Sequence, residues 1–443
     1  MPKTGILLPI FSLPSKYGIG DFGNEAYEFI DILSKNNISF WEVLPITATE
    51  GLPYSPISYY ALNTAYISID KLIEDGLISE ANTIQASNRI VYNDFKEKYY
   101  KCAYEKFKQK NVTNRNEKFN KFKDNTEIIH YAKFMNNQTG EEIDYYIFLQ
   151  FILDKQWNKL RKYANSKNVK IIGDMPIYPS YKSCEVQYNE KYYEVNKNGM
   201  KYIAGAPPDE YNANGQIWWN PVYNIENIKN DKYIYLLNRF KEFMKRFDVT
   251  RLDHFRGYDS FFKIPSNGTA KDGCYENGVG TEFFNELMKI SKSENYIVED
   301  LGDIRKETEE LRNKYQLIGQ EILIYLFNFK EQKINEMKDN ILLYTGNHDT
   351  STAIGWYNNL QNEEKSACDM ILKKLGFSNK NINEALIEIC KNSSAEIIMI
   401  PVQDILGLDD TSRINIPGSE SDLNWSWKMN DFISFREKVK ILK

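Results

Sequence analysis

Eight short apolar runs follow one another along the chain, and each ends in polar residues, glycine or proline. The runs are "GILLPIF" from Gly5, "ISFWEVLP" from Ile38, "VKIIGDMPI" from Val169, "VTRLDHF" from Val249, "YIVEDLG" from Tyr296, "EILIYLF" from Glu321, "ILLYTGNHD" from Ile341 and "EIIMIPVQD" from Glu396. Short runs that are apolar on both faces are typical of strands in a parallel sheet covered on both sides. The pattern therefore predicts eight buried strands.

Stretches with helical periodicity lie between most of these runs. In "GNEAYEFIDILSKNN" the apolar residues Ala26, Phe29, Ile30 and Leu33 share one helix face. Residues 144–163 carry a second, broader apolar stripe. Eight strands alternating with helices predict an α/β protein with a (β/α)₈ TIM barrel, whose core takes about 250 residues.

The chain has 443 residues, so a barrel core leaves a surplus that must lie in insertions. We predict a single catalytic barrel domain over 1–443 that carries two of them. The first is a helical insertion subdomain at 75–142, rich in Lys, Asn, Glu and Tyr. The second is a loop insertion at 178–223, rich in Pro, Gly, Asn and aromatic residues, which covers the active site.

Composition excludes several classes of protein. Hydrophobic residues make up 42% of the chain and charged residues 26%, as in a globular protein. A net charge of −5 without a long Lys/Arg block argues against a nucleic-acid partner. No apolar run reaches eighteen residues, so no membrane partner is expected. The five cysteines are scattered, odd in number and without metal-ligand spacing, which predicts a reducing cytoplasmic location without disulfides or zinc.

Acidic residues end five of the eight predicted strands. They are Asp174, Asp253, Glu299 with Asp300, Asp349 and Asp404. The carboxyl ends of barrel strands form the mouth where active sites lie, so these side chains are expected to converge. Two of the three histidines, His254 and His348, adjoin these acids. Any single acid could instead cap the following helix or pair with an arginine, but capping alone explains five such strands poorly.

Carboxylates accompanied by Arg and His, without metal-ligand spacing, suit glycosidic chemistry. One acid attacks or stabilises the oxocarbenium-like sugar carbon, and another protonates the leaving oxygen. Metal chelation would need a tighter ligand set. The G-x-S-x-G of a serine nucleophile elbow is absent, and so is a P-loop. We therefore expect an enzyme that uses neither a metal nor a cofactor.

Eight stretches, taken together and in order, resemble the amylomaltases, the 4-α-glucanotransferases of glycoside hydrolase family 77. The stretches are "LPSKYGIGDFG", "WEVLP", "IIGDMPIY", "GAPPDEYNANGQIWWNPVY", "RLDHFRG", "VEDLG", "YTGNHD" and "PVQDILGLDDTSRINIPG". They run from the first predicted strand to near the C-terminus. The family's fold is a (β/α)₈ barrel elaborated by insertions, which agrees with the strand count.

The resemblance implies three catalytic roles. Asp253 of "RLDH" would be the nucleophile that forms a covalent glucosyl intermediate. Glu299 of "VEDLG" would be the general acid and then the general base, and Asp349 of "NHD" would hold sugar hydroxyls in the transition state. Arg251 lies two residues from Asp253 on the same strand face, so we expect it to favour the ionised carboxylate and lower the pKa of Asp253.

The resemblance also implies a set of substrate-binding residues. They are Tyr54, Asp174, Trp218, Arg251, His254, Asp300 and His348. Tyr54 and Trp218 would stack on glucose rings and shelter the intermediate from water, so that a sugar hydroxyl outcompetes water. The alternative for each histidine is that it only orients the neighbouring acid.

Several positions depart from the family pattern. Glu42 stands where the family usually has Gln, Leu52 where it has Ser, Trp219 where it has Gly, and Asn347 where it has Thr. The loop after the second strand is also about two residues short and lacks a tyrosine associated with a remote glucan site. Because the three acids are intact, we expect these departures to affect acceptor preference and product length rather than reaction type.

The sequence thus predicts a 4-α-glucanotransferase that moves α-1,4-glucan segments between maltooligosaccharides. The expected partners are a maltooligosaccharide or amylose donor and acceptor. One alternative is an α-glucan hydrolase with the same acids and a wetter acceptor side. A second is a catalytically weak glucan-binding protein.

Overall fold

Eight parallel strands form the central sheet of the protein. The computed structural model describes residues 2–84, 89–114, 117–208, 212–327, 340–419 and 421–443. The strands are β1 (Lys3–Leu7), β2 (Phe40–Glu42), β3 (Lys170–Met175), β4 (Val249–Leu252), β5 (Tyr296–Val298), β6 (Gly319–Ile322), β7 (Ile341–Tyr344) and β8 (Ile397–Pro401). Their order is β5-β4-β3-β2-β1-β8-β7-β6, so every strand lies beside its neighbours in sequence.

The two ends of this sheet meet. A parallel bridge joins Ile297 of β5 to Ile318, just before β6, and the Val298 amide donates to the Ile318 carbonyl at 2.8 Å. The sheet is therefore a closed barrel, and the predicted (β/α)₈ fold is confirmed. Every residue of β7 and β8 is buried, as expected for strands covered on both faces.

The sixth apolar run differs from its prediction. The run from Glu321 to Phe327 was expected to be strand, but β6 ends at Ile322 and residues Leu323–Leu326 form a helical turn. Leu323 is fully buried in that turn. A short apolar run has no periodicity that separates a strand from a buried helix, so only packing decides where the strand ends.

Helices follow most of the strands. Helix α1 (Asn24–Lys35) buries Ala26, Phe29, Ile30 and Leu33, the face expected from the sequence. The stripe over 144–163 lies in one long helix, Ile143–Ser166. The remaining helices are Ile69–Glu74, Arg89–Asn114, Glu117–Lys123, Thr126–Thr139, Cys184–Asn189, Ile225–Asn230, Ile234–Arg246, Arg256–Asp259, Gly280–Leu287, Lys306–Lys314, Ala353–Asn359, Asn362–Lys374, Ile382–Lys391, Val402–Leu406 and Ile433–Lys438.

The chain between β2 and β4 contains most of the additional structure. Helices occupy much of 89–139, within the helical insertion predicted at 75–142. The segment 178–223 contains a short helix and four strands. Val195–Asn196 and Gly199–Met200 form a two-stranded antiparallel sheet. The other two strands belong to a four-stranded antiparallel sheet with the order Cys274–Asn277, Ser260–Pro265, Tyr202–Ala206, Gln216–Pro221. The division of the chain into a barrel and two insertions stays a prediction.

The stretch "GIGDFG" before α1 has a structural role. Its Asp21 is buried and accepts from the Lys96 ammonium at 2.8 Å, and Lys96 also donates to two backbone carbonyls. The glycines are enclosed by protein, since a Cβ at Gly20 would lie 2.1 Å from the Ile10 carbonyl oxygen. This stretch therefore ties helix Arg89–Asn114 to the barrel.

No helix in the described ranges is both long enough and apolar enough to cross a membrane. The five cysteines are unpaired. Cys184, Cys368 and Cys390 are buried, while Cys102 and Cys274 are exposed.

Candidate active site

Arg251 lies at the centre of the charged groups in the barrel mouth. It is buried on β4, directly across from Asp174 of β3 in the strand register. Its Nη1 donates to both carboxylate oxygens of Asp174 at 2.7 Å. The same guanidinium contacts Asp253 at 3.5 Å through Nη1 and Glu299 at 3.0 Å through Nη2. One buried guanidinium therefore contacts three of the predicted acids.

Asp253 and Glu299 follow the ends of neighbouring strands, β4 and β5. Asp253 Oδ2 accepts from the Ile177 amide at 3.3 Å, and Glu299 Oε2 accepts from the His254 amide at 2.7 Å. Their side chains keep 18% and 23% of their surface exposed, so both carboxyls are open to a ligand. His254 has a left-handed backbone (φ 46°), which costs a residue with a Cβ about 1–2 kcal/mol. Strain of this kind is typical of functional sites.

The expected direction of the Asp253 pKa shift is wrong. Burial is the largest influence and, with the neighbouring Glu299 carboxylate, it raises the pKa of Asp253 well above its usual range, although Arg251 acts in the opposite direction. Arg251 is shared among three acids, so its charge does not offset the burial of Asp253. The Glu299 charge nearby adds to the cost of ionising Asp253.

Asp349 lies in the loop after β7 and is held from several sides. His348 Nε2 is 3.3 Å from Asp349 Oδ2, and the Asn415 amide donates to Oδ1 at 2.7 Å. Arg413 donates to the Asp349 carbonyl at 2.6 Å, and the Asn347 side chain accepts from the Asp349 amide at 2.9 Å. Burial would raise the pKa of Asp349, but the paired His348 and the Asn415 bond lower it to about 2. Asp349 is therefore an ionised carboxylate at neutral pH.

His348 is itself affected by this pair. Burial alone would lower the pKa of His348, but the adjacent Asp349 carboxylate reverses the sign and raises it. At His254, by contrast, burial prevails over the Glu299 charge and the pKa is lowered. The two histidines beside the strand-end acids therefore differ: His348 favours the charged form and His254 the neutral one.

Tyr54 contributes a hydroxyl as well as a ring. The hydroxyl donates to Asp174 Oδ2 at 2.5 Å and lies 2.9 Å from His348 Nε2. The Tyr54 and His348 rings are stacked, with centroids 5.4 Å apart and an angle of 15° between their planes. Burial and the Asp174 charge raise the pKa of Tyr54 well above its usual range, so the phenol stays protonated. Tyr54 therefore links the Arg251 cluster to the Asp349 loop.

Trp218 lies on strand Gln216–Pro221, beside His254. The two rings pack edge to face with centroids 4.9 Å apart, and the Trp218 indole N–H donates to the Gln216 side chain at 3.0 Å. Trp218 is only partly buried, so part of its surface remains for a ligand.

Trp219, the next residue, is unusual in two ways. It is 62% exposed and its backbone is left-handed (φ 61°). It lies where the pairing with strand Tyr202–Ala206 shifts register, as in a β-bulge. The first residue of such bulges is commonly glycine, which the resemblance places here.

Two of the strand-end acids have other partners. Asp300 accepts from the Gln320 amide at 2.7 Å and is ion-paired with Arg312. Asp404 accepts from the Thr345 hydroxyl and from the Ala353 amide at 2.7 Å, at the start of helix Ala353–Asn359. The alternative reading, pairing with arginine or capping a helix, describes these contacts. Direct sugar binding by Asp300 stays a prediction.

Several residues of the site were not predicted from the sequence. Arg413 and Asn415 support Asp349 and lie in "TSRINIPG", inside a quoted motif to which no role was given. Trp425 lies 5.9 Å from the Tyr54 ring and 6.1 Å from the His348 ring, and no local signal marked it. Within the part of the chain that the structure describes, no group of three or more His, Cys, Asp or Glu residues is placed to hold a metal ion.

Comparison with known proteins gives one consistent result. A family model described as 4-alpha-glucanotransferase, that of glycoside hydrolase family 77, matches residues 8–141 and 133–434. The 4-alpha-glucanotransferase of Aquifex aeolicus is 32% identical over 486 residues, covering 100% of this chain and 98% of the relative. The chloroplastic/amyloplastic 4-alpha-glucanotransferase of Solanum tuberosum is 32% identical over 482 residues, covering 98% of this chain and 83% of the relative.

Solved structures agree. The amylomaltase of Streptococcus agalactiae, in complex with acarbose, superimposes with a TM-score of 0.92 at 27% identity and covers 100% of this chain and 98% of its own. The amylomaltase of Corynebacterium glutamicum gives a TM-score of 0.78 at 17% identity, covering 100% of this chain and 75% of its own. At that identity the second match supports the fold alone.

Proposed function

The chain belongs to the 4-alpha-glucanotransferases of glycoside hydrolase family 77, and from this premise we propose that Asp253, Glu299 and Asp349 carry out the transfer. The protein is a 4-alpha-glucanotransferase, and the catalytic roles of these three residues are proposed from their contacts. The observation that carries the assignment is the Arg251 guanidinium, which contacts both Asp253 and Glu299. It holds the two carboxyls beside each other, as a double displacement with carboxyls about 5–5.5 Å apart requires.

In the first step, Asp253 attacks the anomeric carbon of the donor as its bond to the leaving oxygen breaks. Glu299 gives its proton to that oxygen, and a covalent glucosyl ester on Asp253 remains. In the second step, Glu299 takes the proton from an acceptor hydroxyl as that oxygen attacks the same carbon and releases Asp253. The configuration is retained because the carbon is inverted twice.

The two carboxyls have different tasks in this scheme. The first step needs Asp253 ionised, so that it can attack, and needs Glu299 to carry the proton that it gives to the leaving oxygen. Burial and the Glu299 charge raise the pKa of Asp253, which opposes its ionised form. Arg251 and the Ile177 amide both contact the Asp253 carboxylate and stabilise its ionised form.

The other residues orient the sugar. Asp349, ionised and braced by His348 and Asn415, is placed to hold sugar hydroxyls in the transition state. Tyr54 and Trp218 are both partly exposed and offer ring surface to a glucose unit. Asp174 is fully buried beneath Tyr54 and Arg251, which favours a role in positioning these two residues.

We propose maltooligosaccharides or amylose as donor and acceptor. Support comes from the acarbose complex of the Streptococcus agalactiae amylomaltase, a close structural match. We also propose that the enzyme works in the cytoplasm, where five unpaired cysteines stay reduced.

Incubation with maltotriose alone tests the activity on this substrate. We expect glucose together with a ladder of longer oligosaccharides, because the acceptor is a second sugar held against the shielded intermediate. Chromatography of the products over time is the measurement. Glucose and maltose without longer products would indicate a hydrolase, and binding without turnover would indicate a glucan-binding protein.

Trp219→Gly is expected to raise the share of cyclic products formed from amylose. We expect the exposed ring beside Trp218 to obstruct a long curved acceptor, and glycine removes that ring. Glycine also occupies φ 61° without the cost of a Cβ, so the fold should be unaffected. The measurement is the ratio of cyclic to linear products, with Trp219→Phe as the control that keeps a ring. An unchanged ratio in Trp219→Gly would refute a steric role.

A further inference from the structure

Glu42 is a buried carboxyl that the mechanism does not use. It is the last residue of β2 and lies inside the barrel with 1% of its surface exposed. The Tyr344 hydroxyl of β7 is 2.9 and 3.0 Å from its two oxygens, and Gln320 of β6 donates to that hydroxyl at 2.9 Å. Among the described residues, no cation forms an ion pair with Glu42. An unpaired buried carboxylate is costly, whereas a neutral carboxylic acid is tolerated.

The charged and titratable groups that face Glu42 come from the strands around it. Asp174 lies on β3, Arg251 on β4, and Tyr344 with the following His348 on and after β7. The neighbouring β1 contributes only apolar residues and backbone at this level, where the Leu8 amide donates to the Glu42 carbonyl. Burial and Asp174 favour the neutral acid, while Arg251, Tyr344 and His348 favour the carboxylate. The balance raises the pKa of Glu42 to about 7.

The Arg251 guanidinium, which favours a charged Glu42, is already shared. Arg251 contacts Asp174, Asp253 and Glu299, and a charged Glu42 would be a further carboxylate acting on the same guanidinium. Because ionised Asp253 relies on the same guanidinium, a charge on Glu42 would weaken the support that Arg251 gives to the Asp253 carboxylate. The nucleophile is active only when ionised, so a charge on Glu42 opposes the first step.

We propose that Glu42 is a positioning residue that must hold a proton, and that loss of this proton sets the alkaline limit of glucan transfer. This inference rests on the proposed function, because the limit is exerted through Arg251 and Asp253. Its sign follows from the burial of Glu42 without an ion pair among the described residues, which favours the neutral acid. Below about pH 7 Glu42 is neutral and the site is competent; as the pH rises through that value the carboxylate forms and the rate falls.

The test is the pH profile of kcat for maltotriose in wild type and Glu42→Gln. Glutamine is a neutral replacement of nearly the same shape and is the residue that the resemblance places here. At acidic pH the two proteins should transfer at similar rates. One pH unit above the pKa of Glu42, the variant should be several-fold faster, with an upper limit of about tenfold for the loss of one required proton. The alkaline limb therefore moves to higher pH.

Glu185→Gln is the matched control. Glu185 is also buried, away from the cluster, and burial likewise raises its pKa to about 7. A carboxyl with a raised pKa makes the folded state less stable as the pH rises from about 4.5 to about 7, so both variants should gain in Tm over wild type across that range. Only Glu42→Gln should move the alkaline limb of kcat.

Tyr344→Phe gives an independent check. The Tyr344 hydroxyl favours the charged form of Glu42, so removing it should also move the alkaline limb of the kcat profile to higher pH. The double variant with Glu42→Gln should show no further shift than Glu42→Gln alone. Superimposed profiles of wild type and Glu42→Gln, or an equal shift in Glu185→Gln, would overturn the inference while transfer itself persists. A wild type without transfer at any pH would contradict the proposed function and the inference together.

Discussion

Asp253→Asn should nearly abolish transfer, with a fall in kcat on the order of 10⁴ or more, as for the loss of other enzymic nucleophiles. An amide cannot form the glucosyl ester. Arg251 keeps its contacts to Asp174 and Glu299, so the sugar-binding groups should stay in place. The measurements are the rate of maltotriose disproportionation and, by calorimetry, the affinity for a longer maltooligosaccharide, which should remain measurable.

The stability of this variant carries a second expectation. Because burial and Glu299 raise the pKa of Asp253, the folded state disfavours its charge at neutral pH. A neutral amide removes that unfavourable charge, so the Tm should be equal to or above that of wild type. A fall in Tm with a proportional loss of glucan binding would mean that Asp253 holds the fold rather than reacts.

Asp404→Asn is a matched control, because it changes another acid that follows a barrel strand. Asp404 also follows a barrel strand, but its oxygens are used by Thr345 and the Ala353 amide. Replacing it should reduce stability and leave kcat within an order of magnitude. Equal losses of kcat in the two variants would contradict the division of the strand-end acids into reacting and structural groups.

Glu299→Gln should lower kcat for natural donors by about 10²–10⁴, the usual contribution of general acid–base catalysis. The glutamine side-chain oxygen can still accept a hydrogen bond from the His254 amide. Glutamine cannot, however, protonate a leaving sugar or deprotonate an acceptor. A maltosyl fluoride donor needs no protonation, so its first step should be largely spared. Added azide needs no general base, so it should restore turnover with that donor.

The comparison of donors separates this role from a structural one. Stopped assays with maltotriose and with maltosyl fluoride, with and without azide, are the measurements. Wild type should show little response to azide. If Glu299→Gln lost activity equally on both donors and azide had no effect, the assignment of Glu299 as acid and base would be withdrawn.

Local sequence was sufficient for most of the architecture. Apolar runs that end in glycine, proline or acids located seven of the eight strands, because strands buried on both faces are mostly apolar, while the sixth run overlaps its strand only at 321–322. The same pattern placed Asp253 and Glu299 beyond strand ends, and in a closed barrel those ends meet at one mouth. The motifs around these acids were specific enough to identify the family, which the comparisons confirm.

The tertiary structure alone decided which contacts these residues make. Arg251 was expected to lower the pKa of Asp253 from two residues away, but Asp174 and Glu299, 77 and 48 positions distant, compete for the same guanidinium. Desolvation depends on everything packed around a group, and no local pattern reports it. For the same reason the buried Glu42 and the support of Asp349 by Asn415 became visible only once distant strands and loops lay side by side.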